Sequence, residues 1–289
     1  YNSTGGQNFM HNTIESLFPT TIRLNRQKND FDRFVLPLSL ALAGAYFAYS
    51  YLMLDMSAFS AIAASLEKAV LSYMTYLIMI ELSPDSINMY LPSFLITGLS
   101  IVPLREVHIM TTVFFLFTLR LLTKSSGYRS SSVELAFMTV FTVLEYFLSP
   151  FIYPLFFGSA LLLDYRFKPD DRRNMPFIAV SFFMALLWLF RGFGVMTSSL
   201  DPFSTLMVCL TAIAYILRLS LLKSILTMND LRTGLISPRR VKAAALLLLI
   251  SLIILAVGHA MVFEFLNLWV MTACISFPFL KDIRRVING

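Results

Sequence analysis

Long apolar runs alternate with short polar stretches along almost the whole chain. The runs fall at about 34–54, 58–82, 89–104 and 107–123, then 133–163, then 176–195, 203–222, 243–263 and 265–280. A bilayer core is crossed by ~20 helical residues, with a range of about 17–25. The third and fourth runs are close to the short limit, with Pro103 and Arg105 marking a tight turn between them. The run 133–163 is too long for one span and short for two. Pro150 and Pro154 interrupt it, and proline removes a helical hydrogen bond and kinks or ends a helix. It reads as a hairpin, either two short spans or a helix followed by a re-entrant segment. The pattern therefore predicts an all-α fold: a polytopic integral membrane helix bundle of about ten membrane segments, forming one transmembrane domain over 34–280.

The polar stretches share one sign. Arg23, Arg26, Lys28 and Arg33 precede the first run. Lys124 and Arg129 lie in the linker 124–132, and Arg166, Lys168, Arg172 and Arg173 in 164–175. Lys223, Arg232, Arg239, Arg240 and Lys242 occupy 223–242, and Lys281, Arg284 and Arg285 the last residues. Of the 23 Lys and Arg residues only Lys68, Arg105, Arg120, Arg191 and Arg218 lie elsewhere, and Arg120 and Arg218 stand at inner ends of their runs. Basic loops stay on the cytoplasmic side, so both termini are expected there, with 1–33 and 281–289 as cytoplasmic tails. Phe9, Met10, Ile14, Leu17 and Phe18 share one face at helical spacing. They suit a short helix lying in the interface, and a frayed tail fits them equally. The sequon Asn2-Ser3-Thr4 falls on the inner side, where it is a chance match, and no signal peptide is recognisable.

Composition agrees with this picture. The 289 residues are 57% hydrophobic and 14% charged, with a mean hydropathy of +0.72, whereas a soluble domain carries roughly a quarter charged residues. The net charge of +6 would point to nucleic acid in a soluble protein. Here it follows the loops, so the partners expected are the lipid bilayer and other membrane subunits, not nucleic acid. Cys209 and Cys274 both lie in apolar runs and imply neither a disulfide nor a metal. With three histidines and no HExxH, P-loop, GxSxG or GxGxxG pattern, no cofactor or metal is expected.

Ionisable groups at membrane depth are costly and mark function by default. Glu67 and Lys68 fall near the middle of the run 58–82. Neighbouring residues on a helix point in different directions, so each needs a partner on another helix or a water-filled cavity. Glu145, Arg191, His259 and Glu264 are the partners at similar or outer depth, with Arg105, Glu106 and His108 at the outer turn. One reading is a polar cavity open to the outer side that binds a substrate or ion through Glu67, Lys68, Glu145, Arg191 and His259. The other is that the membrane part of the helix starts near Ala63 and both charges snorkel to the interface. His259, after Gly258, also suits a simple helix–helix hydrogen bond.

Catalytic candidates lie in the inner loops. The stretch Asn229-Asp230-Leu231-Arg232-Thr233-Gly234-Leu235-Ile236-Ser237-Pro238 resembles the D-L-x-T-x-x-I-P segment of prepilin peptidases, which are intramembrane aspartyl proteases. The resemblance implies that Asp230 is one of two catalytic aspartates sharing a proton. It covers about ten residues, Ser237 is interposed before the proline, and the GxGD motif that carries the family's second aspartate is missing. Asp164, Asp170 and Asp171 resemble the acidic loops with which membrane prenyltransferases hold Mg²⁺ against a diphosphate. Arg and Lys neighbours balance these acids, however, and fit a solvated, salt-bridged loop. The triplets Asp164-Tyr165-Arg166 and Asp230-Leu231-Arg232 each precede an Arg-Arg pair, an echo of a duplication or of chance.

Three functions fit these features. A transport or translocation role suits a short-looped bundle with proline-broken helices, a layout that looks like that of small drug/metabolite-type carriers. A membrane-embedded subunit of a larger complex suits it equally. An intramembrane enzyme acting on a lipid-linked or peptide substrate would use Asp230 with Asp164, or the outer acids Glu67 and Glu145 with His259. All three rest on the same topology. Reporters fused to the two termini should both report the face that carries 223–242, and tails on opposite faces would overturn it.

Overall fold

A computed structural model describes residues 17–21, 32–104, 108–148, 152–168, 172–190, 200–259 and 261–276. Among these the chain is all-helical. The helices are α1 (Asp32–Met53), α2 (Ala58–Leu82), α3 (Ile87–Ile101), α4 (Ile109–Thr123), α5 (Ser132–Leu148) and α6 (Ile152–Phe167), followed by a 3₁₀ turn at Arg172–Asn174. After it come α7 (Met175–Phe190), α8 (Pro202–Leu221), α9 (Pro238–His259) and α10 (Leu266–Ser276). The long run 133–163 is two helices, α5 and α6, and Pro154 sits in the first turn of α6, where a missing N–H costs little. Three stretches are long and apolar enough to cross a membrane: Arg33–Met53, Pro202–Leu221 and Pro238–Gly258.

Local signals set the helix boundaries. Asp201 caps α8 by accepting a hydrogen bond from the Ser204 N–H at 3.0 Å, and Pro202 fills the first helical position. Hydrogen bonds from Ser204, side chain first and then backbone, hold the Asp201 carboxyl below its ordinary range. The apolar run starting at 243 predicts too late a start for α9. Pro238 opens that helix, and the Arg240 and Val241 N–H groups both bond the Ser237 carbonyl. Arg239, Arg240 and Lys242 are therefore helical residues and not loop residues.

The chain divides into two compact units. One holds residues 1–27, 114–196 and 224–251, the other 28–113, 197–223 and 252–289. In the second unit α1 lies along α2, α2 packs on α3, and α10 packs against α3, α8 and α2. In the first unit α6 packs on α7, and α5 packs on both. There Phe114 and Phe115 of α4 meet Tyr153, Phe156 and Phe157 of α6 and Phe141 of α5, with ring centroids 4.8–6.4 Å apart.

The polarity of the helices is inverted relative to a soluble protein. On α8 the exposed stripe is Phe203, Leu206, Leu210, Ile213 and Leu217, while the buried stripe is Ser204, Val208, Thr211, Tyr215 and Arg218. On α2 the apolar residues Phe59, Ile62, Leu66 and Val70 are exposed together with Ser60 and Glu67, and the buried ones include Ser65, Lys68, Ser72 and Thr75 beside Leu71, Tyr76 and Ile78. In water the exposed apolar side chains would forgo the hydrophobic effect. In an apolar surrounding this arrangement is the favourable one, because polar groups can then be satisfied only by each other.

Several of the inward polar groups are satisfied in this way. Asn267 of α10 donates to Thr75 of α2 at 2.9 Å. Arg218 of α8 donates to the Ser83 hydroxyl at the end of α2. The Tyr46 hydroxyl of α1 lies 2.8 Å from the Ser72 hydroxyl and donates to the Gly98 carbonyl of α3 at 2.7 Å. That carbonyl is vacant because the last turn of α3 tightens, with the Val102 N–H bonding Leu99. The glycine also lets α1 approach: a Cβ on Gly98 would come 2.5 Å from the Leu42 Cδ1 atom. The spans carry no GxxxG motif, and this close approach is made at one glycine.

Removing the hydroxyl in Tyr46→Phe leaves the Gly98 carbonyl buried and unpaired. It should lower stability by about 1–3 kcal/mol, read from thermal unfolding in detergent. Tyr51→Phe, on the exposed face of α1, should change it by less than about 0.5 kcal/mol.

Candidate functional site

Lys68 is buried on α2, at 3% exposure. Its ammonium donates to the Val102 carbonyl at 2.7 Å and lies 5.8 Å over the centre of the Tyr49 ring. Val102 is the C-cap of α3. The end of a helix leaves carbonyls without intrahelical partners and carries a partial negative charge. A buried ammonium is well placed there, with the aromatic face as a second attraction. Glu67, one residue earlier and about 100° around the helix, is exposed. The two charges thus do not face each other, as their spacing required, and the partner of Lys68 is a main-chain oxygen.

Of the other residues expected near Glu67 and Lys68, Arg191 lies outside the described residues. Glu145 ends up on α5 and His259 at the last residue of α9, and their side chains are likewise outside the description. Arg105 and Glu106 also lie outside it. His108 and Glu264 are brought together, Nε2 to Oε2 at 3.3 Å, with the Phe265 ring stacked on the imidazole at 5.2 Å.

The inner candidates resolve differently. Asp164, 2% exposed at the end of α6, is held by three groups. Arg240 at the start of α9 donates to Oδ1 at 2.6 Å, Lys124 just after α4 reaches Oδ2 at 3.1 Å, and Asn174 at the end of the 3₁₀ turn donates to Oδ2 at 3.0 Å. Arg240 also donates to the Leu122 carbonyl at 3.0 Å and stacks over Phe167 at 5.1 Å. The partners that its two oxygens hold are two cations and an amide, not a second aspartate.

Asp230 belongs to a folded loop, not to a helix end. The Asn229 N–H bonds the Gly234 carbonyl, Arg232 adopts a left-handed conformation with φ 54°, and Met228 pairs with Leu235 in an isolated bridge. The Asp230 N–H donates to Ser125 at 3.1 Å, one residue from Lys124. Gly127, at φ +83°, leaves room for Asn229: a Cβ there would meet the Asn229 side-chain nitrogen at 2.7 Å. The echo between the two Asp-x-Arg triplets is therefore not structural, since one ends α6 and the other forms a turn in this loop. Asp170 and Asp171 lie outside the described residues, and no group of three His, Cys, Asp or Glu suited to a metal occurs among the described ones.

Two buried acids, Glu81 and Glu134, were missed by the sequence reading. Glu134 of α5 is fully buried and accepts from the successive N–H groups of Thr20 and Thr21 at 3.0 and 2.5 Å. Arg120 of α4 donates to the Thr21 carbonyl at 2.8 Å, and Phe18 meets Phe137 edge-on. The signal was present as Ser131-x-x-Glu134, a capping-box sequence. Ser131 does cap α5 through the Glu134 N–H at 3.0 Å. The glutamate side chain, however, turns to the N-terminal segment instead of back to its own helix.

No protein-family model, curated protein or solved structure matches this chain. The functional reading therefore rests on its own residues. The arrangement around Asp164 ties the ends of α4, α6 and α9 together. Arg240→Ala leaves the buried carboxylate with Lys124 and Asn174 only and should cost about 1–3 kcal/mol. The double variant Arg240→Ala/Asp164→Ala should recover part of that loss in the same thermal unfolding measurement.

Proposed function

We propose that the chain is a multi-pass membrane protein that serves as a membrane-embedded subunit of a larger translocating complex. The inverted polarity of α2 and α8, the three long apolar helices and the confinement of basic residues to the predicted inner loops support the membrane placement. Of the buried ionisable groups that are described, Lys68, Arg120, Glu134, Asp164 and Arg218 fasten segments of the chain together, as does the half-buried Arg240. This favours a supporting role over a catalytic one.

The observation that carries the subunit reading is Glu67. It is exposed among the exposed apolar residues Ile62, Leu66 and Val70 of α2. At 1.5 Å per residue it lies roughly 13 Å along the helix from Ala58, close to half the ~30 Å hydrocarbon thickness. A glutamate side chain is too short to reach water from that depth. An ionised carboxylate facing lipid there is costly, and a cationic or hydrogen-bonding group on a neighbouring subunit removes the cost.

The test is the size of the assembly extracted in mild detergent. The wild-type chain and Glu67→Asp should migrate in a species heavier than one chain with its detergent, and Glu67→Lys should release the single chain with unchanged helical content. A wild-type chain that migrates alone, with a cysteine at 67 labelled by an impermeant maleimide, would instead indicate a self-contained carrier with a wet cavity and overturn the subunit reading.

A further inference from the structure

We infer that the ion-paired end of α6, the 3₁₀ turn and the start of α9 form a binding site for the phosphate of an anionic phospholipid. Three basic segments far apart in sequence converge on one buried acid. Arg240 and Asn174 both bond Asp164, which brings residues 164–168, 172–174 and 238–242 to one place, and Lys124 arrives from α4. Across 164–174, 239–242 and Lys124 the sequence places Lys124, Arg166, Lys168, Arg172, Arg173, Arg239, Arg240 and Lys242 against Asp164, Asp170 and Asp171. Asp164 is already occupied by Arg240 and Lys124. Arg166, Lys168, Arg172 and Arg239 are exposed around it.

The position of Arg239, Arg240 and Lys242 sharpens the point. They stand in the opening turns of α9, a helix of 22 residues, where the macrodipole is positive and cations are disfavoured. Asp164 offsets Arg240. An external anion would offset the others, and a helix start with free arginines beside it is a good phosphate receptor. Exposed apolar side chains flank the cluster: Leu162 and Phe167 on α6 and Met175 at the start of α7. A soluble phosphate would make no use of them. A phospholipid would set its headgroup on the arginines and its acyl chains along the apolar helix faces, as basic segments at a membrane surface do.

The experiment uses the purified full chain in mild detergent with phosphatidylglycerol, phosphatidylcholine or inorganic phosphate, reading bound lipid by native mass spectrometry and the unfolding midpoint. Phosphatidylglycerol should be retained and raise the midpoint, and phosphatidylcholine and inorganic phosphate should not. At about fivefold per basic side chain, Arg166→Gln/Arg172→Gln/Arg239→Gln should weaken retention on the order of a hundredfold. Equal retention of the two lipids by the wild-type chain would overturn the assignment whether or not the variant folds. Undiminished retention by the folded variant would overturn it too, and stabilisation by inorganic phosphate equal to that by lipid would make it a site for soluble anions instead.

Discussion

Polar groups in this fold turn toward one another because their surroundings offer them no alternative. Much of the exposed surface of α2 and α8 is phenylalanine, leucine, isoleucine and valine, while Ser65, Lys68, Ser72 and Thr75 of α2 and Ser204, Thr211 and Arg218 of α8 lie inside. Under that constraint a helix end is as demanding as a charge, since its last carbonyls have no partner in their own helix. Both compact units solve the problem in the same way. Lys68 donates to the Val102 carbonyl at the end of α3, and Arg240 donates to the Leu122 carbonyl near the end of α4. In each case one cation meets the vacant acceptor and the negative end of the helix dipole together, and each also lies over an aromatic ring, Tyr49 or Phe167.

Asp164 adds a second layer to this arrangement in its own unit. Two cations and an amide surround it, so the local balance is positive even before the exposed arginines are counted. Burying such a cluster gains little by itself, because desolvation opposes the Coulomb attraction. Its effect is geometric: only one docking of α4, α6 and α9 leaves every member paired. Glu134 works similarly with neutral donors. The main chain of Thr20 and Thr21 wraps its carboxylate, and the segment before α1 is thereby fastened to α5 and, through Arg120, to α4.

The break in the run 133–163 was legible because hydrophobic length and proline placement are local properties. The run 133–163 announced two helices through Pro150 and Pro154, and α5 and α6 are both present. The start of α9 was not legible from hydropathy: three cations in its first turns look like loop, and only Ser237-Pro238 announces the helix. The partners of the buried charges were less legible still. Those of Lys68 and Glu134 are main-chain atoms, which no side-chain identity can announce. Asp164 and Arg240 are 76 residues apart, and nothing in one sequence singles out that pair from the other acids and bases. Asp230 misled because its neighbours match a short catalytic pattern, while the fold uses the same asparagine, arginine and glycine to turn a loop.

The adjacency of Glu67 and Lys68 has a mechanical consequence. Successive residues are about 100° apart around a helix, so the two oppositely charged side chains fix the angular setting of α2. Rolling the helix by one residue in the sense that brings Glu67 inward would aim a carboxylate at the carbonyl end of α3 and swing the ammonium out among leucines. Electrostatics then penalises rotation of α2 about its axis far more than a slide along it or a tilt, so any movement of this helix against α1 and α3 is steered into those two modes.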